Sequence, residues 1–133
     1  MIIKADVTHL LEITEIENAA FLHPWTENQL RQDILTRLDS ENYVYTLHES
    51  VIGYIFGWVI ENEYHLNNIA VHPTYRRKNI ARSLINHVIS ILIHRKIQLL
   101  FLEVNINNNA AQKCYESLGF VNDGMRKKYY TSI

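Results

Sequence analysis

At 133 residues, 47% of them apolar, the chain suits one compact domain with a real core and is too short for a second. A formal charge of −1 excludes a general nucleic-acid binder, whose footprint is a strongly basic face, and a single cysteine excludes an intrachain disulfide or a cysteine-clustered zinc site. The longest apolar runs, residues 51–60 and 89–93, are too short to span a bilayer, and residues 1–6 hold no basic stretch leading into a long apolar one; a soluble cytoplasmic protein with no membrane partner is expected.

In chain order, residues 2–5 read as a short strand and residues 7–20 as a helix turning Leu10, Leu11, Ile13, Ile16 and Ala20 inward. After Phe21 and the turn His23-Pro24-Trp25, the run Thr26-Glu27-Asn28-Gln29 spells a capping box, with Thr26 as N-cap and Gln29 reaching back. A second helix to about residue 37 follows. Residues 43–48, 51–60 and 63–71 read as three strands joined by Glu49-Ser50 and Glu61-Asn62, an antiparallel meander. Next comes a long helix whose Ala81, Leu84, Ile85, Val88, Ile89 and Leu92 form one apolar stripe. Residues 98–104 read as a buried strand, residues 109–118 as a helix ended by Gly119, and residues 120–130 as a last extended segment. This alternation predicts an α/β sheet with helices on its faces.

The stretch from Asn68 to Arg82 carries the most chemistry, because a strand runs through a proline-marked cationic loop directly into the long helix. The first turn of a helix leaves N–H groups without intrahelical partners and adds partial positive charge, so a phosphate placed there is bound by backbone and dipole together. Arg76, Arg77, Lys78 and Arg82 lie where that dipole disfavours cations. An anionic ligand would offset the repulsion; a solvated basic face is the alternative.

Other residues are ambiguous on their own. Glu103 is the only charge in residues 98–104, either a solvated carboxylate at a strand end or a base in an apolar setting. Tyr115 shares a helix face with Ala111 and Leu118 and reads as a core aromatic. Cys114 reads as a small apolar residue rather than a nucleophile. His87 and His94 have no carboxylate to complete a site and no His-Glu-x-x-His run exists, so no metal is expected.

Four places together carry a resemblance: Pro24-Trp25-Thr26; Asn68-Ile69-Ala70-Val71 with the basic loop; Leu102-Glu103-Val104; and Asn108-Asn109-Ala110-Ala111 through Tyr115-Glu116-Ser117-Leu118-Gly119-Phe120. The sequence resembles the GNAT acetyltransferases, and within them the RimI-type ribosomal-protein-alanine N-acetyltransferases, from Phe21 to Tyr130. The resemblance implies a mixed, mostly antiparallel sheet flanked by helices, with acetyl-CoA as co-substrate and no metal. The family's pyrophosphate loop, Q/R-x-x-G-x-G/A, here reads Arg76-Arg77-Lys78-Asn79-Ile80-Ala81. Asn79 stands where the first glycine is usual, and asparagine is the side-chain-bearing residue that best tolerates left-handed backbone.

The resemblance further implies that the backbone of Ile69, Ala70 and Val71 lies along the acetyl-pantetheine arm, one N–H acting as oxyanion donor, and that Asn108 holds the pantetheine. Glu103 becomes the general base and Tyr115 the general acid. An α-amine, with a pKa of roughly 8 against about 10.4 for lysine, is the more often neutral near pH 7. That agrees with a protein N-terminus, such as that of a ribosomal protein, as the acceptor. The acceptor groove is expected to use residues 21–25, the start of the second helix, and Tyr129-Tyr130. The alternatives are a small amine or lysine as acceptor, or a non-catalytic CoA-binding or protein-interaction module.

Family members close with one more strand, inserted between the strands matching residues 98–104 and 120–130, and only Thr131-Ser132-Ile133 remain here. A shortened single domain with that strand missing is therefore expected. Its unpaired backbone groups predict a homodimer through the open edge, or a loosened segment 120–133.

Overall fold

The computed structural model describes residues 1–76, 79–103, 109–122 and 128–132. Its strands are β1 (Ile2–Lys4), β2 (Tyr43–Leu47), β3 (Ser50–Ile60), β4 (Glu63–Val71), β5 (Leu99–Glu103), β6 (Val121–Asn122) and β7 (Lys128–Ser132). Its α-helices are α1 (Leu10–Ala20), α2 (Glu27–Leu35), α3 (Ile80–His94) and α4 (Asn109–Ser117). Local chemistry accounts for several boundaries. Thr26 and Gln29 make both bonds of the predicted capping box, at 3.1 and 2.8 Å. Residues 7–9 form a single 3-10 turn that feeds α1, with Asp6 capping it through the Thr8 N–H at 2.8 Å.

The strands form one sheet in the order β1-β2-β3-β4-β5-β7-β6, antiparallel except for the parallel pair β4–β5. Leu84, Ile85, Val88 and Leu92 of α3 pack with Ile55, Tyr64, Leu66, Leu100, Leu102 and Tyr115 on one side of it. Leu10, Ile13 and Ile16 of α1 and Leu30 of α2 pack with Val44, Tyr54, Phe56 and Ala70 on the other. Leu11 does not join this core and is 67% exposed, because Leu10, Ile13 and Glu17 follow the helical spacing while Leu11 falls on the flank.

The C-terminal expectation is corrected. Residues 120–130 are not one extended strand: β6 and β7 are separate, and β7 itself lies between β5 and β6, pairing Leu99 with Ser132 through Glu103 with Lys128. The inserted strand is thus present, formed by a stretch that starts earlier than the resemblance suggested. The gap from which a homodimer or a loosened segment was expected is filled by the chain's own backbone.

Candidate active site

A β-bulge shapes the site. Phe56 faces Asn68 and Gly57 faces Leu66, so Asn67 is an extra residue on β4. The bulge exchanges the two faces of the strand. Tyr64 and Leu66 lie in the α3 core, whereas Asn68 and Ala70 turn towards α1. Among the described residues, the parallel ladder with β5 runs from Glu63 with Leu99 to Leu66 with Leu102, up to the bulge. Ile69, Ala70 and Val71, expected along the acetyl-pantetheine arm, follow on β4 after the bulge.

At the end of β4, Val71, Tyr75, Arg76, Asn79, Ile80, Ala81, Arg82 and Cys114 line one cavity of about 220 Å³. Five of these were expected at the pyrophosphate; Tyr75 and Cys114 were not singled out for it. Asn79 has φ 62° and ψ 22°, the left-handed conformation foreseen for it, and caps α3. Its carbonyl accepts from the Ser83 N–H at 3.0 Å and the Ser83 hydroxyl at 2.9 Å, which fixes the first turn. The early N–H groups of a fifteen-residue helix therefore open on the cavity. Exposed Arg76 donates from Nε to the Val71 carbonyl at 3.2 Å. Arg82 turns towards α4, donating to the Ser117 hydroxyl at 3.0 Å. Arg77, Lys78 and Asn108 lie outside the described residues.

Glu103 and Tyr115 lie on opposite faces of the sheet. Glu103 is exposed at the end of β5 and lines a second cavity, about 400 Å³, with Glu63, His65, Leu66, Asn67, Phe101 and Leu102. Tyr115 is buried among the α3-side residues, its ring 5.8 Å from that of Phe120. Burial pushes its hydroxyl well above the ordinary tyrosine range, and Cys114 adds a smaller rise. It therefore keeps its proton throughout neutral pH. A wider cleft of about 910 Å³ runs beside α2, lined by Trp25, Asn28, Gln29, Asp33, Arg37 and Trp58 among others, and includes the expected start of the acceptor groove. Tyr129 and Tyr130 belong to β7, opposite Leu102 and Phe101.

Two features escaped the sequence reading. Glu17 is only 1% exposed, and its carboxylate accepts from the Tyr54 hydroxyl, from Asn68 Nδ2 at 2.8 and 3.0 Å, and from the Trp25 N–H at 2.8 Å. It thereby ties the loop before α2 to β4 just past the bulge. The other is His65, which bonds Glu63 at 2.9 Å and stacks on Phe101 with ring centroids 5.4 Å apart. Among the described residues there is no cluster of metal-ligating side chains, and no helix is long and apolar enough to cross a membrane.

The profile of the Acetyltransferase (GNAT) family matches residues 10–120. The ribosomal protein bS18-alanine N-acetyltransferase of Escherichia coli (strain K12) is 34% identical over 125 residues, covering 94% of this chain and 83% of the relative. The crystal structure of the ribosomal-protein-S18-alanine N-acetyltransferase from Escherichia coli superposes with a TM-score of 0.89 at 29% identity, covering 100% of this chain and 93% of that one. The paiA N-acetyltransferase from Thermoplasma acidophilum, solved with coenzyme A, shares the fold with a TM-score of 0.89 at 18% identity, covering 100% of this chain and 98% of that one. A family match over most of the chain, with a strand that runs into a helix-mouth cradle, makes this protein a member of the GNAT acetyltransferase family.

Proposed function

We propose that the chain moves the acetyl group of acetyl-CoA to the N-terminal α-amine of a protein, an alanine-leading ribosomal protein being the acceptor suggested by the names of its relatives. Such an acceptor places the reaction in the cytoplasm. The observation that carries this reading is the pair of cavities along β4, one at the mouth of α3 beside Val71 and one beside Leu66 and Leu102 that Glu103 lines.

The pyrophosphate of acetyl-CoA takes the N–H groups at the start of α3, with Arg76 alongside and Arg77 and Lys78 supplying further charge. The thioester lies along the end of β4, where an N–H of the segment Ile69, Ala70, Val71 polarises its carbonyl. Amine and thiol then sit towards different faces of the sheet. Glu103 serves the nitrogen as general base on the α1 side, and Tyr115 gives its proton to the departing thiolate on the α3 side. Asn108 is assigned to the pantetheine amide by resemblance.

Glu103→Gln and Tyr115→Phe are each expected to lower kcat by about 10²-fold or more while leaving CoA affinity nearly intact. Mass spectrometry of an alanine-leading peptide incubated with acetyl-CoA measures the first quantity and calorimetry the second. Wild-type turnover in both variants would refute the assigned roles, and the absence of an acetylated peptide with the native chain would refute the activity.

A further inference from the structure

We propose that His65, held by Glu63, is a second proton acceptor for the incoming amine, working beside Glu103. The inference rests on the N-acetyltransferase reading above and extends it to residues that the resemblance did not include.

The placement follows from register. His65 pairs with Phe101 across the parallel ladder, and Phe101 and Glu103 are two apart on one strand, so all three face the same side of the sheet. His65, Glu63 and Glu103 line one cavity, beside the paired Leu66 and Leu102. The imidazole is held on two sides: its Nε2 bonds the Glu63 carboxylate at 2.9 Å, and its ring stacks on Phe101 with an interplanar angle of 18°. An imidazole nitrogen that donates to a carboxylate leaves the other nitrogen, Nδ1, with the free lone pair, which is the orienting logic of a carboxylate-histidine pair. On the β3 side the registered neighbour is Trp58, whose indole donates to Asp33 at 2.7 Å and lies under the Arg37 guanidinium. Among the described residues, the charged groups around the imidazole are therefore Glu63 on its own strand, Glu103 from β5, and Asp33 and Arg37 behind Trp58.

Proton balance gives a second base something to do. An N-terminal α-ammonium must lose one proton before its nitrogen can attack, and another once the C–N bond has formed. His65 Nδ1 takes the first and releases it to water. The amine lone pair then forms the C–N bond, the C–S bond breaks, and the thiolate leaves with the Tyr115 proton. Glu103 receives the second nitrogen proton, which returns through solvent to the tyrosinate. The sum is ammonium plus acetyl-CoA giving amide, free CoA and one proton. Imidazole suits the first step because its ordinary titration range lies nearest neutrality.

The test is a pH profile of kcat/KM with acetyl-CoA and an alanine-leading peptide for the native chain, His65→Gln and Glu63→Gln. His65→Gln should remove one limb of the native profile and cut kcat at pH 7 by about 10²-fold, with CoA affinity unchanged. Glu63→Gln should lower kcat as well, since the carboxylate that keeps the proton on Nε2 and the lone pair on Nδ1 is gone, and nitrogen-15 NMR of His65 should show the tautomer balance shift. An unchanged profile and kcat in His65→Gln overturn the proposal while leaving the acetyltransferase reading in place. A native kcat and tautomer balance in Glu63→Gln overturn the role of Glu63. No product from the native chain on any peptide overturns both readings.

Discussion

Asn79 carries left-handed backbone at the mouth of α3 with a side chain in place, where the family pattern has glycine. For an ordinary side chain that conformation costs roughly 1–2 kcal/mol, and asparagine reduces the cost through its short polar group. A β-branched residue there meets the full penalty and also crowds the cavity it lines. Asn79→Val should therefore lose about 1–2 kcal/mol of stability and bind CoA more weakly, whereas Asn79→Gly keeps the fold and binds at least as well as the native chain. Thermal unfolding and calorimetry check both. Native behaviour in Asn79→Val would mean that the left-handed cap is not needed to build the cradle.

At the scale of elements, the pairing of β3 with β4 depends on one glycine. A Cβ built on Gly57 would lie 2.1 Å from the ring of Tyr64, which is fully buried and donates its hydroxyl to the Glu41 carbonyl at 3.0 Å. The ring cannot swing aside without giving up that bond and opening the α3 core, so Gly57→Ala should cost about 3 kcal/mol or more, read as a lower urea midpoint. An unchanged midpoint would show that β4 can slide at the bulge. Much of this architecture was legible in the sequence because its causes are local. The Thr26 and Gln29 box, the α3 stripe and the tolerance of Asn79 for positive φ each depend on a few neighbouring residues. The Asn67 bulge was not legible, since a bulge exists only relative to a partner strand. Nor was buried Glu17, which reads as a solvated helix carboxylate until its partners Tyr54 and Asn68, 37 and 51 positions away, are brought to it.

For the molecule as a whole, the order β5-β7-β6 closes the sheet with the chain's own last strand, so edge pairing between copies has no gap to fill at that place. The weakness expected instead is alkaline. Tyr54, Tyr64 and Tyr115 are buried, and in each burial is the largest reason why the hydroxyl's pKa rises well above its ordinary 10.0. Glu17 adds to the rise at Tyr54, and Glu41 at Tyr64. The folded pKa lies above the unfolded one, so below pH 10 both states hold these protons and stability does not depend on them. Above it the unfolded chain ionises while the folded one does not, and stability falls with rising pH. Each tyrosine contributes a slope of up to about 1.4 kcal/mol per pH unit, so three together could remove roughly 4 kcal/mol per unit, a large share of a typical domain's 5–15 kcal/mol. Urea unfolding between pH 9 and 11.5, on the order of one unit either side of the ordinary tyrosine value, should show this decline. Tyr43 is raised too, by burial first and then by Glu41, so Tyr115→Phe should flatten the decline by between about a quarter and a third, whatever the variant does to stability at neutral pH. A flat profile, or an unchanged slope in Tyr115→Phe, would mean that these hydroxyls reach water in the folded chain.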